Sequence, residues 1–191
     1  MRAAPSWILA LFLLGAPVVG ASSLRAQDGP SLVVLVRHAE KASQTDPDPS
    51  LSEAGKARAM ALVEALKHTT PSAIIVTSRK RTAETGEPLA SKLGLKANVV
   101  ALEGSTAAAH IAAVADAVRK QTGVVLVVGH SNTVPAIVKA LGGPALPDIC
   151  DASYATLYVL QPARDGKAAQ LIVGQYGVAD PVGATTCGTM K

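Results

Sequence analysis

The sequence predicts an α/β fold of three layers (α/β/α), in which helices cover both faces of a mostly parallel central sheet. Two observations predict this class. Apolar runs of strand length alternate with longer segments of helical periodicity through most of the chain. In addition, the runs at 31–36 and 124–128 are apolar almost throughout, which is typical of strands buried on both faces of a parallel sheet.

The first predicted strand covers 31–36 and is followed by a loop at 43–50, whose prolines and aspartates disfavour regular structure. Ser52 is expected to cap a helix that runs to about Lys67. The apolar face of this helix is expected to carry Ala59, Leu62, Val63 and Leu66.

The middle of the chain continues the alternation. A second strand is predicted at 73–76, and a second helix follows it and ends before Gly94. A third strand is predicted at 97–102 and a third, alanine-rich helix at 105–120. This order of elements is the one expected of successive strand–helix–strand units.

The fourth strand, 124–128, is expected to lead into a helix with Pro135 in its first turn, where proline is tolerated. Ser131 and Asn132 are the candidates for the cap of that helix. Two more strands are predicted at 154–160 and 170–173, joined by a turn.

The first 26 residues have the three parts of a secretory signal: a basic residue near the start, an apolar run at 7–14 and small residues at 19–23. We expect residues 1–26 to be cleaved, with cleavage after Ala21 or Ser23 as alternatives. An uncleaved membrane anchor is the less favoured interpretation, because the apolar stretch is shorter than the roughly 20 residues needed to span a bilayer. Residues 27–191 are predicted to form a single domain.

Composition excludes some classes of partner. The formal net charge is +4 and falls to +2 when Arg2 and Arg25 leave with the signal segment. The chain has one Phe and three Tyr, and its longest basic run is Arg79-Lys80-Arg81. A nucleic-acid partner is therefore not expected.

The two cysteines, Cys150 and Cys187, both lie in the last quarter of the chain. In an exported protein two such residues are expected to form a disulfide, here one that ties the C-terminal tail to the domain. A metal site is a weaker interpretation, because no neighbouring His or Cys completes a ligand set. Two free thiols are the third alternative.

Basic side chains follow the predicted strands where those strands end. Arg37 and His38 follow the first strand, Arg81 opens the helix after the second, and His130 follows the fourth. Ligands of open α/β sheets bind at the carboxyl ends of the strands. Two guanidinium groups beside two imidazoles suit a doubly charged tetrahedral oxyanion, so the sequence predicts a phosphate pocket.

An imidazole at such a site has chemistry of its own. A neutral histidine can attack phosphorus and form a phosphohistidine, which water then hydrolyses, while a second, protonated histidine donates to the phosphoryl oxygens. The positive charge of Arg37, Arg81 and His130 would stabilise the transferred group. We therefore expect neither a metal ion nor another cofactor.

Four blocks of this sequence resemble, in order, the motifs of a known family. Residues 35–41 resemble the Arg-His-Gly signature of the histidine phosphatase superfamily, with Ala39 in the glycine position. Residues 51–57 resemble the family's Leu-Ser/Thr-x-x-Gly stretch, 77–85 its block with a second arginine, and 128–132 its block with a second histidine. The likeness covers most of the predicted domain.

The resemblance implies a phosphoglycerate-mutase-like fold and a role for each matching residue. His38 would be the phosphorylated nucleophile, and Arg37, Arg81 and His130 would form the phosphate pocket. Members of the family that hydrolyse small esters have an acid after the third strand, and Glu103 matches that position best. Some members lack such an acid.

These inferences predict a secreted or periplasmic phosphomonoesterase that acts on a small phosphorylated substrate and meets a membrane only through its signal segment. A mutase fits less well, because the short chain leaves little room for a cap over the site. Two alternatives stay open. One is a phospho-ligand binding protein with little turnover, and the other is a phosphatase of phosphoproteins or of envelope lipid or saccharide phosphates.

Overall fold

A computed structural model describes residues 29–164 and 166–181. The strands within this part of the chain are β1 (Pro30–Arg37), β2 (Ala73–Thr77), β3 (Asn98–Val100), β4 (Gly123–Gly129), β5 (Thr156–Gln161) and β6 (Gln170–Gln175). The helices are α1 (Glu53–Ala65), α2 (Lys80–Leu93), α3 (Ala107–Arg119) and α4 (Thr133–Ala140). None of these helices is both long and apolar enough to cross a membrane. The predicted signal segment, 1–26, lies outside the described residues.

The six strands form one sheet in the order β3-β2-β4-β1-β5-β6. Strands β3, β2, β4 and β1 run parallel to one another, whereas β5 runs antiparallel to both β1 and β6. Helices α1 and α2 pack together, as do α3 and α4. The predicted three-layer α/β/α class with a mostly parallel sheet is confirmed.

The central strand β1 shows why the sheet is covered on both sides. Alternate side chains of a strand point to opposite faces. Val33 and Leu35 belong to the core cluster that includes residues of α3 and α4, and Val34 and Val36 belong to the cluster that includes residues of α1 and α2. A strand with two buried faces must be apolar at every position, which is the pattern that predicted it.

The pairing of β1 with β4 determines where the two predicted histidines lie. Arg37 at the end of β1 is in register with Gly129 at the end of β4. His38 follows directly after β1, and His130 follows directly after β4. The backbone N–H of His38 donates to the carbonyl of Gly129 at 2.9 Å. The sheet thus sets the two imidazoles side by side.

Helix ends follow the sequence signals in two cases. The Ser52 side chain caps α1 and accepts a hydrogen bond from the backbone N–H of Gly55 at 3.1 Å, as predicted. Helix α2 ends at Gly94, whose φ of 64° lies in the left-handed region that glycine adopts without strain. The predicted boundaries of the first and second helices are therefore close to the observed ones.

The start of α4 differs from the prediction. Asn132 occupies the cap position but makes no side-chain capping hydrogen bond. The hydroxyl of Thr133, the first helical residue, instead accepts a hydrogen bond from the backbone N–H of His130 at 3.0 Å. The side chain at the start of α4 therefore holds the backbone of His130, and Pro135 lies in the first turn as expected.

Candidate active site

The candidate site lies at the edge of the sheet where β1, β2 and β4 end. The side chains of His38 and His130 are 4% and 8% exposed, and their ring centroids are 5.4 Å apart. Arg37 and Arg81 border the same place, so the structure brings together four of the five residues that the sequence singled out. The fifth, Glu103, is described below.

The protonation of His38 follows from its hydrogen bond. Its Nδ1 lies 2.8 Å from the carbonyl oxygen of Ala39, and a carbonyl can only accept, so Nδ1 carries the proton. Nε2 is then left with its lone pair. Burial lowers the pKa of His38 from 6.5 to about 3, and the charges of Arg37 and Arg81 add to this against the opposing effect of the Ala39 carbonyl. His38 is therefore a neutral imidazole at neutral pH.

A chain of hydroxyl groups orients His130. The Thr82 hydroxyl donates its one proton to a backbone carbonyl, that of Arg79 being 2.8 Å away. In the 2.9 Å contact between Thr77 Oγ1 and Thr82 Oγ1, Thr77 must therefore be the donor. The Thr77 oxygen must then accept from His130 Nε2, 3.2 Å away. This leaves His130 Nδ1 as an acceptor facing an Arg81 nitrogen at 3.4 Å.

His130 is neutral for the same main reason as His38. Burial lowers its pKa from 6.5 to about 3, and the charge of Arg81 is the next cause. The sequence predicted a protonated histidine here. In the structure the ring of His130 is a neutral donor to Thr77, so its protonation on substrate binding stays a prediction.

The guanidinium of Arg37 is buried and held by backbone carbonyls and an aromatic ring. Its NH1 donates to the backbone carbonyls of Cys150, Asp151 and Ser153 at 2.8–3.0 Å, and its guanidinium lies 4.2 Å from the centre of the Tyr154 ring. Its Nε is buried without a hydrogen-bond partner. Burial lowers its pKa, but an arginine stays charged at any working pH.

Arg81 resembles Arg37 in this respect. Its Nε is also buried without a partner, and its NH1 lies 3.8 Å from a carboxylate oxygen of Asp48. Burial lowers the pKa of Arg81, and the nearby charge of Arg79 lowers it further. Two charged guanidinium groups thus have buried N–H donors for which no acceptor is present.

Comparisons with known proteins agree with this geometry. The sequence model of the histidine phosphatase superfamily (branch 1) matches residues 33–104, which include Arg37, His38 and Arg81.

Residues 33–104 thus match the histidine phosphatase superfamily.

Solved structures share its fold. A mycobacterial glucosyl-3-phosphoglycerate phosphatase, complexed with VO3, has a TM-score of 0.57 and 17% identity over 77% of this chain and 100% of that chain. The protein histidine phosphatase SixA, complexed with tungstate, has a TM-score of 0.58 and 16% identity over 75% of this chain and 96% of that chain. A search of curated proteins found no match. The matched segment and the shared fold together support a phosphatase activity for the chain.

The loop after His38 explains how the chain accommodates its departure from the family signature at Ala39. Ala39, which replaces glycine, is fully buried and packs with Leu51 and Ala59 in a small cluster of its own. Its backbone N–H donates to the hydroxyl of Thr85 at 2.9 Å. The extra methyl group therefore fills a packed position instead of obstructing the site.

Helix α1 approaches the same loop closely. A side chain at Gly55 would collide with the backbone carbonyl of Glu40, so only glycine allows the contact. Arg58, one turn further along α1, forms a buried ion pair with the Glu40 carboxylate, with Nε 2.9 and 3.0 Å from its two oxygens. The loop that carries His38 is thereby fixed from one side.

Glu103 does not have the surroundings of a proton donor. It lies on the surface, where its carboxylate accepts a hydrogen bond from the Ser78 hydroxyl and lies 3.5 Å from Arg79 Nε. The Ser78 hydrogen bond is the main cause of a lowered pKa. The group is therefore ionised at neutral pH, and the role of Glu103 as general acid stays a prediction.

Three other predictions concern metals and cysteines. In residues 29–164 and 166–181, no group of three or more His, Cys, Asp and Glu side chains is arranged to hold a metal ion. Cys150 is not a free thiol. Cys187, its predicted partner, lies outside the described residues, so the disulfide between the two stays a prediction.

Sequence reasoning missed several residues of the site. Thr77 and Thr82, which orient His130, lie between the predicted second strand and the body of the helix that follows it, and no prediction gives either a role. Tyr154, which covers Arg37, is predicted only as the first residue of a strand. The Arg58–Glu40 pair spans 18 residues. The sequence does contain one signal for Thr82, because a threonine in the first turn of a helix is a candidate for hydrogen bonds to nearby groups.

Proposed function

We propose that this protein is an exported, metal-independent phosphomonoesterase in which His38 takes up the phosphoryl group of the substrate. The observation that carries the proposal is the hydrogen bond from His38 Nδ1 to the carbonyl of Ala39. This bond leaves the Nε2 lone pair free, and the pKa of about 3 keeps it free across the physiological range. A nucleophile in this state needs no base to activate it.

The surroundings of His38 suit a phosphate dianion. Arg37 and Arg81 each have a buried Nε without an acceptor, and their charges stabilise the oxygens of the group in transfer. A dianion beside His130 favours its protonated form, so substrate binding raises the pKa of His130. The protonated ring then gives the pocket the third positive charge that the sequence predicted.

The proposed reaction has two steps. His38 Nε2 attacks phosphorus, the bond from phosphorus to the ester oxygen breaks, and the departing alcohol takes up a proton. Water then attacks phosphorus, the bond to Nε2 breaks, the water loses a proton, and phosphate leaves. The two protons balance, and His38 returns to its neutral form with Nδ1 still bonded to Ala39.

One experiment tests the nucleophile. The purified chain from residue 27 is incubated with p-nitrophenyl phosphate in EDTA, and the protein is analysed for an acid-labile phosphoryl group. We expect turnover and a phosphoenzyme from wild type and neither from His38→Ala, with a loss of several orders of magnitude. His68→Ala is the control, because His68 is an exposed histidine that lies beyond the end of α1.

The outcomes separate the alternatives. Turnover that survives His38→Ala, or that EDTA abolishes, contradicts the proposal. A phosphoenzyme that forms but does not turn over indicates a phospho-ligand binding protein instead. Activity on phosphoproteins in place of small esters would favour a phosphoprotein phosphatase.

Export is supported by the sequence of residues 1–26 alone. Its test is the N-terminus of the protein recovered from a bacterial host after expression of the full chain. We expect a chain that begins at residue 27 in the periplasmic or secreted fraction. An intact N-terminus in the cytoplasmic fraction would rule out export.

A further inference from the structure

A cavity of about 650 Å³ lies next to the phosphate pocket, between α1 and the segment 176–181 that follows β6. Seven of its twelve lining residues are alanine, valine or proline. The side chains of Ala57 and Val178 line it from its two sides. Its surface is therefore largely apolar, in contrast to the charged pocket around His38.

The charged groups that line this cavity already have partners in the protein. Arg58 is paired with Glu40 and also donates to the backbone carbonyls of Tyr176 and Val178 at 3.1 and 3.0 Å. Asp180 accepts hydrogen bonds from the backbone N–H groups of Tyr154 and Ala155 at 2.7 and 3.0 Å. A charged or strongly polar ligand would find no unpaired ion here and would lose its hydration.

The same contacts hold the walls in place. Arg58 connects α1 to two carbonyls of the opposite wall, and Asp180 connects that wall to the start of β5. The cavity is thus bounded on one side by α1 and on the other by the exposed segment 177–179, which hydrogen bonds hold in place, and such fixed walls suit a preformed small-molecule site.

The cavity shares residues with the phosphate pocket. Tyr154 lines the cavity, its ring centre is 4.2 Å from the Arg37 guanidinium, and its ring lies 6.2 Å from that of His38. Glu40 lines it as well and is two residues from His38. A phosphate ester bound at His38 therefore has this cavity within reach of its alcohol part.

From these observations we infer that the cavity is the subsite for the alcohol part of the substrate, and that the preferred substrates are phosphate monoesters of uncharged, apolar alcohols. The inference rests on the proposed phosphatase function. Burial of each methylene group in the cavity contributes to binding, whereas an ionic group on the alcohol finds no unpaired counter-ion there.

A series of primary alkyl phosphates tests the inference. Ethyl, butyl, hexyl and octyl phosphate have nearly the same leaving-group acidity, so differences in kcat/KM report binding of the chain. We expect kcat/KM to rise by about fourfold for each methylene group that enters the cavity, until the cavity is full. Glycerol phosphate, with a polar alcohol of similar size to butyl, should fall near ethyl phosphate.

Two variants assign the effect to this cavity. Val178→Asp places a charge in it and should remove the dependence on chain length, while Ala57→Leu fills it and should remove the gain beyond butyl phosphate. Both should leave kcat/KM for ethyl phosphate within about twofold of wild type, because neither side chain contacts the phosphate pocket. Ile172→Asp is the matched control, since Ile172 is 67% exposed on β6 and does not line the cavity.

The outcomes distinguish this inference from the function on which it rests. A kcat/KM that is independent of chain length in wild type, or a dependence that survives Val178→Asp, overturns the subsite and leaves the phosphatase activity intact. An equal loss in Val178→Asp and Ile172→Asp overturns it too. Absence of turnover for ethyl and p-nitrophenyl phosphate in wild type overturns the proposed function itself.

Discussion

At the scale of single residues, two buried histidines with lowered pKa values face each other across 5.4 Å. Each ring has one nitrogen bonded to a fixed protein oxygen, the Ala39 carbonyl for His38 and the Thr77 hydroxyl for His130. The two histidines are buried without an anionic partner, which suits a pocket that binds an anion. Their burial also reduces the stability of the protein at acidic pH.

The two pKa values predict how stability depends on pH. In the unfolded chain each histidine binds a proton near pH 6.5, whereas in the folded protein it does so only near pH 3. Between these values the unfolded state holds more protons, so the free energy of unfolding falls as the pH falls, by up to about 1.4 kcal/mol per pH unit for each histidine. Above pH 7 neither histidine contributes to the slope.

Urea unfolding of the ligand-free protein between pH 7 and pH 4 measures this dependence. His130→Asn should show a smaller slope than wild type, by about the contribution of one histidine. His68→Asn, at an exposed position, serves as the control and should keep the wild-type slope. Identical slopes for wild type and His130→Asn would contradict the assigned pKa shift.

A second prediction concerns Glu103. Because Ser78 and Arg79 keep its carboxyl ionised, Glu103→Gln should reduce kcat for butyl phosphate far less than the roughly 10²- to 10⁴-fold that loss of a general acid costs. The assay compares butyl phosphate with p-nitrophenyl phosphate, whose leaving group needs no acid. A large loss confined to butyl phosphate would instead establish Glu103 as the donor.

The residues that sequence reasoning found share one property. Arg37, His38 and His130 each stand at the end of a buried apolar run, and Arg81 opens the next helix, so their place follows from the chain direction alone. Thr77, Thr82 and Tyr154 could not be found in the same way, because their roles depend on hydrogen bonds and ring contacts that only the folded chain forms.

At the scale of elements, the contact of α1 with the His38 loop depends on Gly55. Alanine normally stabilises a helix interior relative to glycine by about 1 kcal/mol. Here the added methyl group would meet the Glu40 carbonyl, so Gly55→Ala should lower the free energy of unfolding by about 1–3 kcal/mol and reduce kcat as well.

The control for this substitution is Gly174→Ala. Gly174 lies in β6, and a methyl group there meets only the carbonyl of Leu157 at 4.0 Å. Thermal unfolding and p-nitrophenyl phosphate turnover of both variants give the comparison. Equal stability of Gly55→Ala and wild type would mean that α1 does not press against the loop.

The elements themselves were largely predictable from the sequence, but one feature was not. The sequence predicts β5 and β6 as two strands joined by a turn, but it contains no signal for how β5 pairs with β1, so the antiparallel direction of that pair is known only from the folded sheet. The third strand, predicted at 97–102, has only the three residues Asn98–Val100 in the structure. It lies at the edge of the sheet, where strands are often short.

At the scale of the whole molecule, Arg58 joins parts of the chain that are far apart in sequence. It pairs with Glu40 near the start and donates to the carbonyls of Tyr176 and Val178 near the end. Burial by itself lowers the pKa of Arg58, but the Glu40 carboxylate outweighs burial and raises it. One guanidinium therefore connects the His38 loop, α1 and the wall of the apolar cavity.

Removal of this connection should lower the free energy of unfolding. Arg58→Met leaves the Glu40 carboxylate without its partner, and we expect a loss of about 3 kcal/mol in the free energy of unfolding, measured with urea. The double variant Arg58→Met with Glu40→Gln should recover part of this loss, because no unpaired charge remains. Additive losses in the double variant would show that the two side chains do not interact.

The antiparallel direction of β5 has a consequence for how the site is completed. Because β5 starts where β1 ends, Tyr154 lies beside Arg37, and the return along β6 brings Asp180 to the same edge. The nucleophile position is thus among the first parts of the domain to be synthesised, and the wall beside it is among the last. We therefore expect a chain that ends before Asp180 to be inactive towards apolar esters, even though it holds His38, His130 and both arginines.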